Sequence, residues 1–152
     1  MSAACWKAKF DGHLNRHSQP FVPILTVMVD YGNAPFLWCV GAPEQAGVGG
    51  NICDGSGWDE SFPMSEGLWR KFADWAIEFD RTSFHSDDFD ASGWDWAAFH
   101  ERGLQLSRWL KEEVGNAYRI VYQKPCEDPD SRLDERREVL ADGALVRLPS
   151  FR

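Results

Sequence analysis

Residues 94–125 read WDWAAFHERGLQLSRWLKEEVGNAYRIVYQKP, and this stretch decides the fold. Trp96, Phe99, Gly103, Leu106, Leu110 and Val114 recur at spacings of three and four. That period puts them on one face of a helix over 94–114. Ser92 and Asp95 fall at the spacing of a capping box, with Asp in place of the preferred Glu or Gln. Gly115-Asn116 is a C-terminal stop. Tyr118 to Gln123 then reads as a strand, ended by Pro125. Gly103 costs a helix about 1 kcal/mol against Ala, so its presence predicts a close approach to the sheet or to a neighbouring helix.

Working upstream, Leu68, Phe72, Trp75 and Phe79 line one face of a helix over 65–81. Ser65 suits its N-cap, and Glu66 suits the positive end of its dipole. Residues 82–93 form an acidic connection between the helices. Residues 24–30 (ILTVMVD) are a β-branched apolar run between Pro23 and the turn signal Tyr31-Gly32-Asn33, which predicts a strand buried on both faces. Residues 36–40 (FLWCV) read as its hairpin partner, and residues 41–63 as a long glycine-rich loop. Downstream, residues 126–136 are a charged loop. Residues 138–141 and 144–148 flank Asp142-Gly143, a two-residue hairpin signal. The order β-β-α-α-β-β-β predicts one α+β domain over 1–152, a mainly antiparallel sheet of about five strands with two helices on one face.

A chain of 152 residues can build one core without a metal or disulfide. The net charge is −8, which argues against direct nucleic-acid binding. That charge is localised. Residues 1–53 and 101–152 are each neutral, while 54–100 hold eleven acidic residues against Arg70, Lys71 and Arg81. Five of the eight Trp lie in the same window. The N-terminus lacks the apolar run of a signal peptide, and no stretch is long enough to span a membrane. Cys5, Cys39, Cys53 and Cys126 form no C-x-x-C pair and read as free thiols. The expectation is a cytoplasmic protein.

Catalytic and ligand motifs are sparse. His13 and His17 have the spacing of H-E-x-x-H without its Glu, and read as surface histidines. His85, Asp87, Asp88 and Asp90 could ligate a metal, but the segment lacks the Gly and closing Glu of an EF-hand and reads as a solvated connection. The glycines of 47–57 match neither a P-loop nor a dinucleotide fingerprint. Cys39 or Cys53 could serve as a nucleophile with His85 or His100 as base, yet nothing in the sequence brings them together. Cys39 reads as a small core residue, and His100 as a satisfied histidine at the core boundary. No catalytic residue, cofactor or metal is expected. Trp69, Trp75, Trp96 and Trp109 lie in the helices, and most of them read as core or core edge. Trp58 and Trp94 lie in or beside loops next to Asp59, Glu60 and Asp95, which suits either interface anchors with steering carboxylates or rings folded back onto the core beside solvated acids.

The helix LWRKFADWAIEF of residues 68–79, the stretches WAAFHERGLQL of 96–106 and WLKEEVG of 109–115, then YRIVY of 118–122 and KPCEDP of 124–129, together resemble small bacterial immunity proteins. These are encoded beside polymorphic toxins, including those of contact-dependent growth inhibition. The resemblance covers roughly residues 63–130. It implies a non-enzymatic inhibitor, monomeric until it binds one cognate toxin domain in a 1:1 complex, the toxin often being a nuclease. Because nuclease toxins bind polyanions, their working surface is commonly basic, and an acidic protein can dock there. The expected docking residues are Trp58, Asp59, Glu60, Asp87, Asp88, Asp90, Trp94 and Asp95, with Glu127, Asp128 and Asp130. Two competing readings are a small enzyme using His85 or His100 with carboxylates in a cleft, and an adaptor subunit of some other assembly.

Overall fold

The computed structural model describes residues 20–32, 35–53, 57–82, 93–130 and 135–149. Six strands form one sheet: β1 (Ile24–Val27), β2 (Leu37–Val40), β3 (Gly50–Asn51), β4 (Arg119–Gln123), β5 (Arg136–Val139) and β6 (Leu145–Leu148). Two helices, α1 (Glu66–Asp80) and α2 (Trp96–Val114), separate β3 from β4. The sheet order is β3-β2-β1-β4-β5-β6. All neighbours are antiparallel except the central pair, β1 and β4, which run parallel with Leu25 opposite Ile120. Parallel strands need a long crossover. The helices lie in the chain between β1 and β4 and so belong to that crossover.

The sequence expectation of α+β architecture holds, with local differences. The extra strand, β3, comes from the stretch read as loop. Its formation depends on Gly49, whose φ is +78° and whose Cβ would lie 1.8 Å from the Cys39 carbonyl oxygen, so any side chain there would block the pairing. Strand β1 stops at Val27 rather than running to residue 30. The Met28 carbonyl accepts a hydrogen bond from Trp38 Nε1 at 2.8 Å, a side-chain partner instead of a ladder partner. The unbroken apolar run of β1 is explained by burial on both faces: Leu25 and Val27 face the helices, and Thr26 on the other side is equally closed off.

Helix α1 begins where expected, with Ser65 Oγ accepting from the Leu68 N–H at 3.2 Å. Helix α2 differs from the capping-box reading. Asp95 is itself the N-cap, accepting from the Ala98 N–H at 3.0 Å, and the helix starts at Trp96. A carboxylate at this position both satisfies an orphan donor and meets the positive dipole end. Ser92 lies outside the described residues. Gly115, at φ +57°, ends α2 as its sequence implies.

The core lies between the helices and the sheet. Leu68, Phe72, Trp75 and Phe79 of α1 and Phe99, Leu106 and Leu110 of α2 meet Leu25, Val27, Leu37, Ile120, Tyr122 and Val139. Contacts run from Phe79–Trp94 and Trp75–Phe99 at one end to Lys71–Trp109 and Ser65–Glu113 at the other, so the helices are antiparallel. At Gly103, α2 approaches both α1 and the sheet closely. A Cβ there would lie 2.5 Å from both Trp75 Cζ2 and Tyr122 Cε1. Gly103→Ala is therefore expected to destabilise the fold. Overpacking costs about 1–3 kcal/mol, which exceeds the gain of about 1 kcal/mol in helix propensity. Thermal melting checks this, since an isolated helix effect would raise the melting temperature whereas a clash lowers it.

Candidate partner-binding surface

The residues expected to bind a partner fall into two groups at opposite ends of α1. At its N-terminal end, Trp58 is half-buried, and its Nε1–H donates to the Met64 carbonyl at 3.0 Å. Its indole therefore braces the entry to α1 instead of standing free. Asp59 and Glu60 are exposed beside it. Asp59 accepts from the Ser61 backbone N–H at 2.7 Å, and hydrogen bonds from Ser61 hold its carboxyl below the usual range.

At the C-terminal end of α1, about 20 Å away for a helix rising 1.5 Å per residue, several elements converge. Trp94 folds onto the core against Phe79, Phe99 and Trp96. Asp95 is exposed at the start of α2. Tyr31, in the turn after β1, stacks on Phe79 at 4.8 Å. Burial, reinforced by the Glu127 carboxylate, raises the Tyr31 phenol pKa. Gly32 N–H donates to the Asp80 carboxylate at 2.9 Å, fastening the same turn to the end of α1. Asp130 is exposed nearby in chain, its N–H donating to Asp128. Asp95 and Glu127 thus adjoin a wall of stacked aromatic rings, through Trp96 and Tyr31 respectively. Asp87, Asp88 and Asp90 lie outside the described residues, in the segment that leaves α1 at this end and enters α2.

Asp128 does not belong to an exposed set. It is 4% exposed, and its Oδ2 lies 2.6 Å from His100 Nε2. His100 Nδ1 lies 2.7 Å from the Tyr122 hydroxyl. A carboxylate can only accept, so Nε2 carries the proton and Nδ1 accepts from the Tyr122 hydroxyl. The neutral ring is fully satisfied in this tautomer. Burial holds the imidazole below the ordinary histidine range, and the Asp128 carboxylate only partly offsets that. Burial also raises the Tyr122 phenol. The turn at 125–128, closed by Asp128 N–H to the Pro125 carbonyl at 3.2 Å, is thereby tied to α2 and β4. Sequence reasoning saw His100 as satisfied but missed its partner. The only available signal was a lone Asp in an acidic loop.

A cavity of about 200 Å³ opens beside this network, lined by His100, Tyr122, Lys124, Glu135 and Arg137 among others. Glu135 is shared between Lys124, at 2.8 Å, and Arg137. The Lys124 ammonium foremost, with Arg137, lowers the Glu135 carboxyl pKa. Both nitrogens of His100 are engaged, leaving no lone pair to take a proton from a substrate. Cys39 is half-buried and burial raises its thiol pKa, the opposite of an activated nucleophile. Among the described residues no group of three His, Cys, Asp or Glu could hold a metal, and no helix is long and apolar enough to cross a membrane. His13, His17 and His85 lie outside the described residues.

Of the four helical tryptophans, three are buried or half-buried, as expected of most of them. Trp109 is the exception, 38% exposed on the outer side of the helix pair. The Lys71 ammonium sits over its ring, 4.6 Å from the centroid.

No curated protein and no solved structure matches the chain. A family model described as Serratia CdiI immunity protein-like matches residues 23–125. That span runs through β1, both helices and β4, and it includes Asp95 and the aromatic wall while excluding the β5-β6 hairpin. With most of its sheet and its whole helical layer inside the match, this chain belongs to the Serratia CdiI immunity protein-like family.

Proposed function

We propose that the chain neutralises one cognate toxin domain, a nuclease with a basic working surface, by docking an acidic, aromatic-backed surface onto it. Family membership supports a toxin as the partner. The observation that carries the acidic surface is the confinement of the whole −8 charge to residues 54–100. The protein acts without catalysis, in the cytoplasm, as a monomer that forms a 1:1 complex. Asp95, Glu127 and Asp130 belong to the steering end, and Asp87, Asp88 and Asp90 of the acidic connection between the helices add their charge to the docking. Asp59 and Glu60, beside Trp58, form a second contact at the far end of α1. An interface of standard size, about 800 Å² per partner, is wide enough to span both. Clustered carboxylates raise the encounter rate with a cationic partner and make it sensitive to salt.

Co-expression with the toxin domain encoded immediately upstream is expected to restore growth and to yield a co-purifying complex. Asp87→Lys, Asp88→Lys and Asp90→Lys, combined with Asp95→Asn, should lower the association rate about tenfold or more and flatten its dependence on salt. Asn caps a helix as well as Asp, so α2 is preserved. An unchanged rate at low salt would defeat the steering role.

A further inference from the structure

We propose that the outer seam between α1 and α2 is a docking groove for a cationic side chain of the toxin, an arginine or lysine seated on the ring of Trp109. This rests on the immunity reading and deepens it, by naming a contact that the charge pattern of the sequence does not point to.

Trp109 is the one tryptophan among the described residues that presents a large exposed apolar surface. Its neighbours on α2, Leu106 and Leu110, turn inward to the core, which leaves the indole at the lip of the helix pair. Two cavities flank the ring, of about 370 Å³ toward Asp74 and Arg102 and about 380 Å³ toward Ser65 and Glu112. Both are lined by Lys71 and Trp109, so together they form a groove along the seam, divided by that pair.

The groove is built for positive charge. Its ring already holds a cation, the Lys71 ammonium. Its rim carries Asp74, Glu112 and Glu113. None of these three has an ion-pair partner among the described residues; Glu113 accepts only the Ser65 backbone N–H, at 3.1 Å. Glu78 is offset by Arg102 and Glu66 by Arg70. Three carboxylates without an ion-pair partner among the described residues line the cavities that flank the indole, a half-built cage in which Lys71 is a place-holder. Lys71 sits on a flexible exposed stem and can swing aside, whereas Trp109 has two rotatable bonds and loses little freedom on being covered. A cation on a tryptophan face gains strength once water is excluded. A toxin covering the groove would supply that exclusion, and an arginine would stack flat on the ring while its fork reaches the rim carboxylates.

The test measures binding of the chain to the toxin domain encoded immediately upstream, recovered from the co-expressed complex by denaturation and refolding, using surface plasmon resonance at two salt concentrations. Trp109→Ala should weaken binding at least about tenfold, as expected of a buried interface tryptophan, with melting temperature unchanged within a few degrees. Trp109→Phe should retain part of the affinity. Asp74→Lys with Glu112→Lys and Glu113→Lys should lower the association rate. Lys71→Ala should bind as tightly as the unaltered chain or more tightly, because it vacates the ring. If Trp109→Ala binds within twofold of the unaltered chain, the groove is not the docking site. If Lys71→Ala weakens binding as much as Trp109→Ala, Lys71 is itself the contact and a toxin cation is not seated there. Absence of any binding by the unaltered chain overturns the immunity reading and the groove with it, an outcome distinct from failure of the groove alone.

Discussion

Phe99→Ala is expected to lower the unfolding free energy by about 3–5 kcal/mol, the range for truncating a buried phenylalanine. Phe99 is fully buried. Its ring stacks on Trp75 at 4.5 Å and leans on Trp94 at 4.6 Å, with Phe79 at 6.0 Å and Trp96 at 6.2 Å. Its backbone carbonyl accepts the Trp75 Nε1–H at 3.0 Å. The ring is thus the hub that joins the end of α1, the start of α2 and the loop before it. Flat rigid neighbours cannot collapse into the space left behind, so the cavity persists and the cost sits toward the upper end. Domains of this size are stable by about 5–15 kcal/mol, so the loss is a large fraction of the total. Urea unfolding followed by circular dichroism measures it. A loss under about 1 kcal/mol would mean that the cluster repacks and is not the keystone described. Phe99→Leu, which keeps most of the volume, should recover much of the difference.

Asp128→Ala is the second large effect, expected at about 3 kcal/mol. Removing one partner of a buried charged hydrogen bond leaves the other unsatisfied in a low-dielectric site. Here the His100 Nε2–H would lose its acceptor, and the Asp130 N–H would lose its own, now 2.8 Å from Asp128 Oδ1. Asp128→Asn, whose amide oxygen can still accept from Nε2–H, should cost less than half as much. The same network makes stability depend on pH. The folded state holds His100 below its ordinary pKa of about 6.5. Below that value the unfolded chain takes up a proton that the folded chain refuses. Stability is therefore full above about pH 6.5 and falls as the pH drops toward the folded value. Glu135 and Glu138, whose carboxyl pKa values are lowered foremost by Lys124 and Arg119 respectively, keep their contributions above the ordinary carboxylate pKa of about 4.5 and lose them as the pH falls from there. Urea unfolding at pH 7.5 and 5.5 consequently isolates the histidine. The pH effect should be larger in Asp128→Ala, which has lost the carboxylate that partly supports the imidazolium. It should shrink in His100→Gln. Equal pH dependence in all three proteins would show that His100 is not the group responsible.

The latch also bears on binding. Asp128 holds the turn at 125–128 against α2 and β4, and Glu127 and Asp130 stand on either side of it. Asp128, expected from sequence at the docking surface, is buried and ties down a turn whose Glu127 and Asp130 reach solvent or its margin.

Much of the molecule is legible from residues alone, because the informative signals are local. The three-four spacing of Leu68, Phe72, Trp75 and Phe79, and of Phe99, Gly103, Leu106 and Leu110, states which side of each helix is apolar. Ser65 and Gly115 mark ends because orphan backbone groups at helix termini favour those residues. An unexplained glycine within α2 announces the close approach at Trp75 and Tyr122. What the tertiary structure alone decided is every relation between distant segments. The parallel pairing of β1 with β4 depends on the path of the crossover, which no strand pattern encodes. The acidic residues look like one set in sequence, yet Asp59 and Asp95 stand at opposite ends of α1, because antiparallel helices return the chain to where it started only after a full helix length. Asp128 is buried because His100 and Tyr122 meet it, and a carboxylate's residue type does not say whether such partners exist. Trp109 sits beside the apolar stripe of α2, where periodicity cannot separate core from rim. Its exposure is set by how far α1 reaches across it, a matter of packing between elements and not of pattern within one.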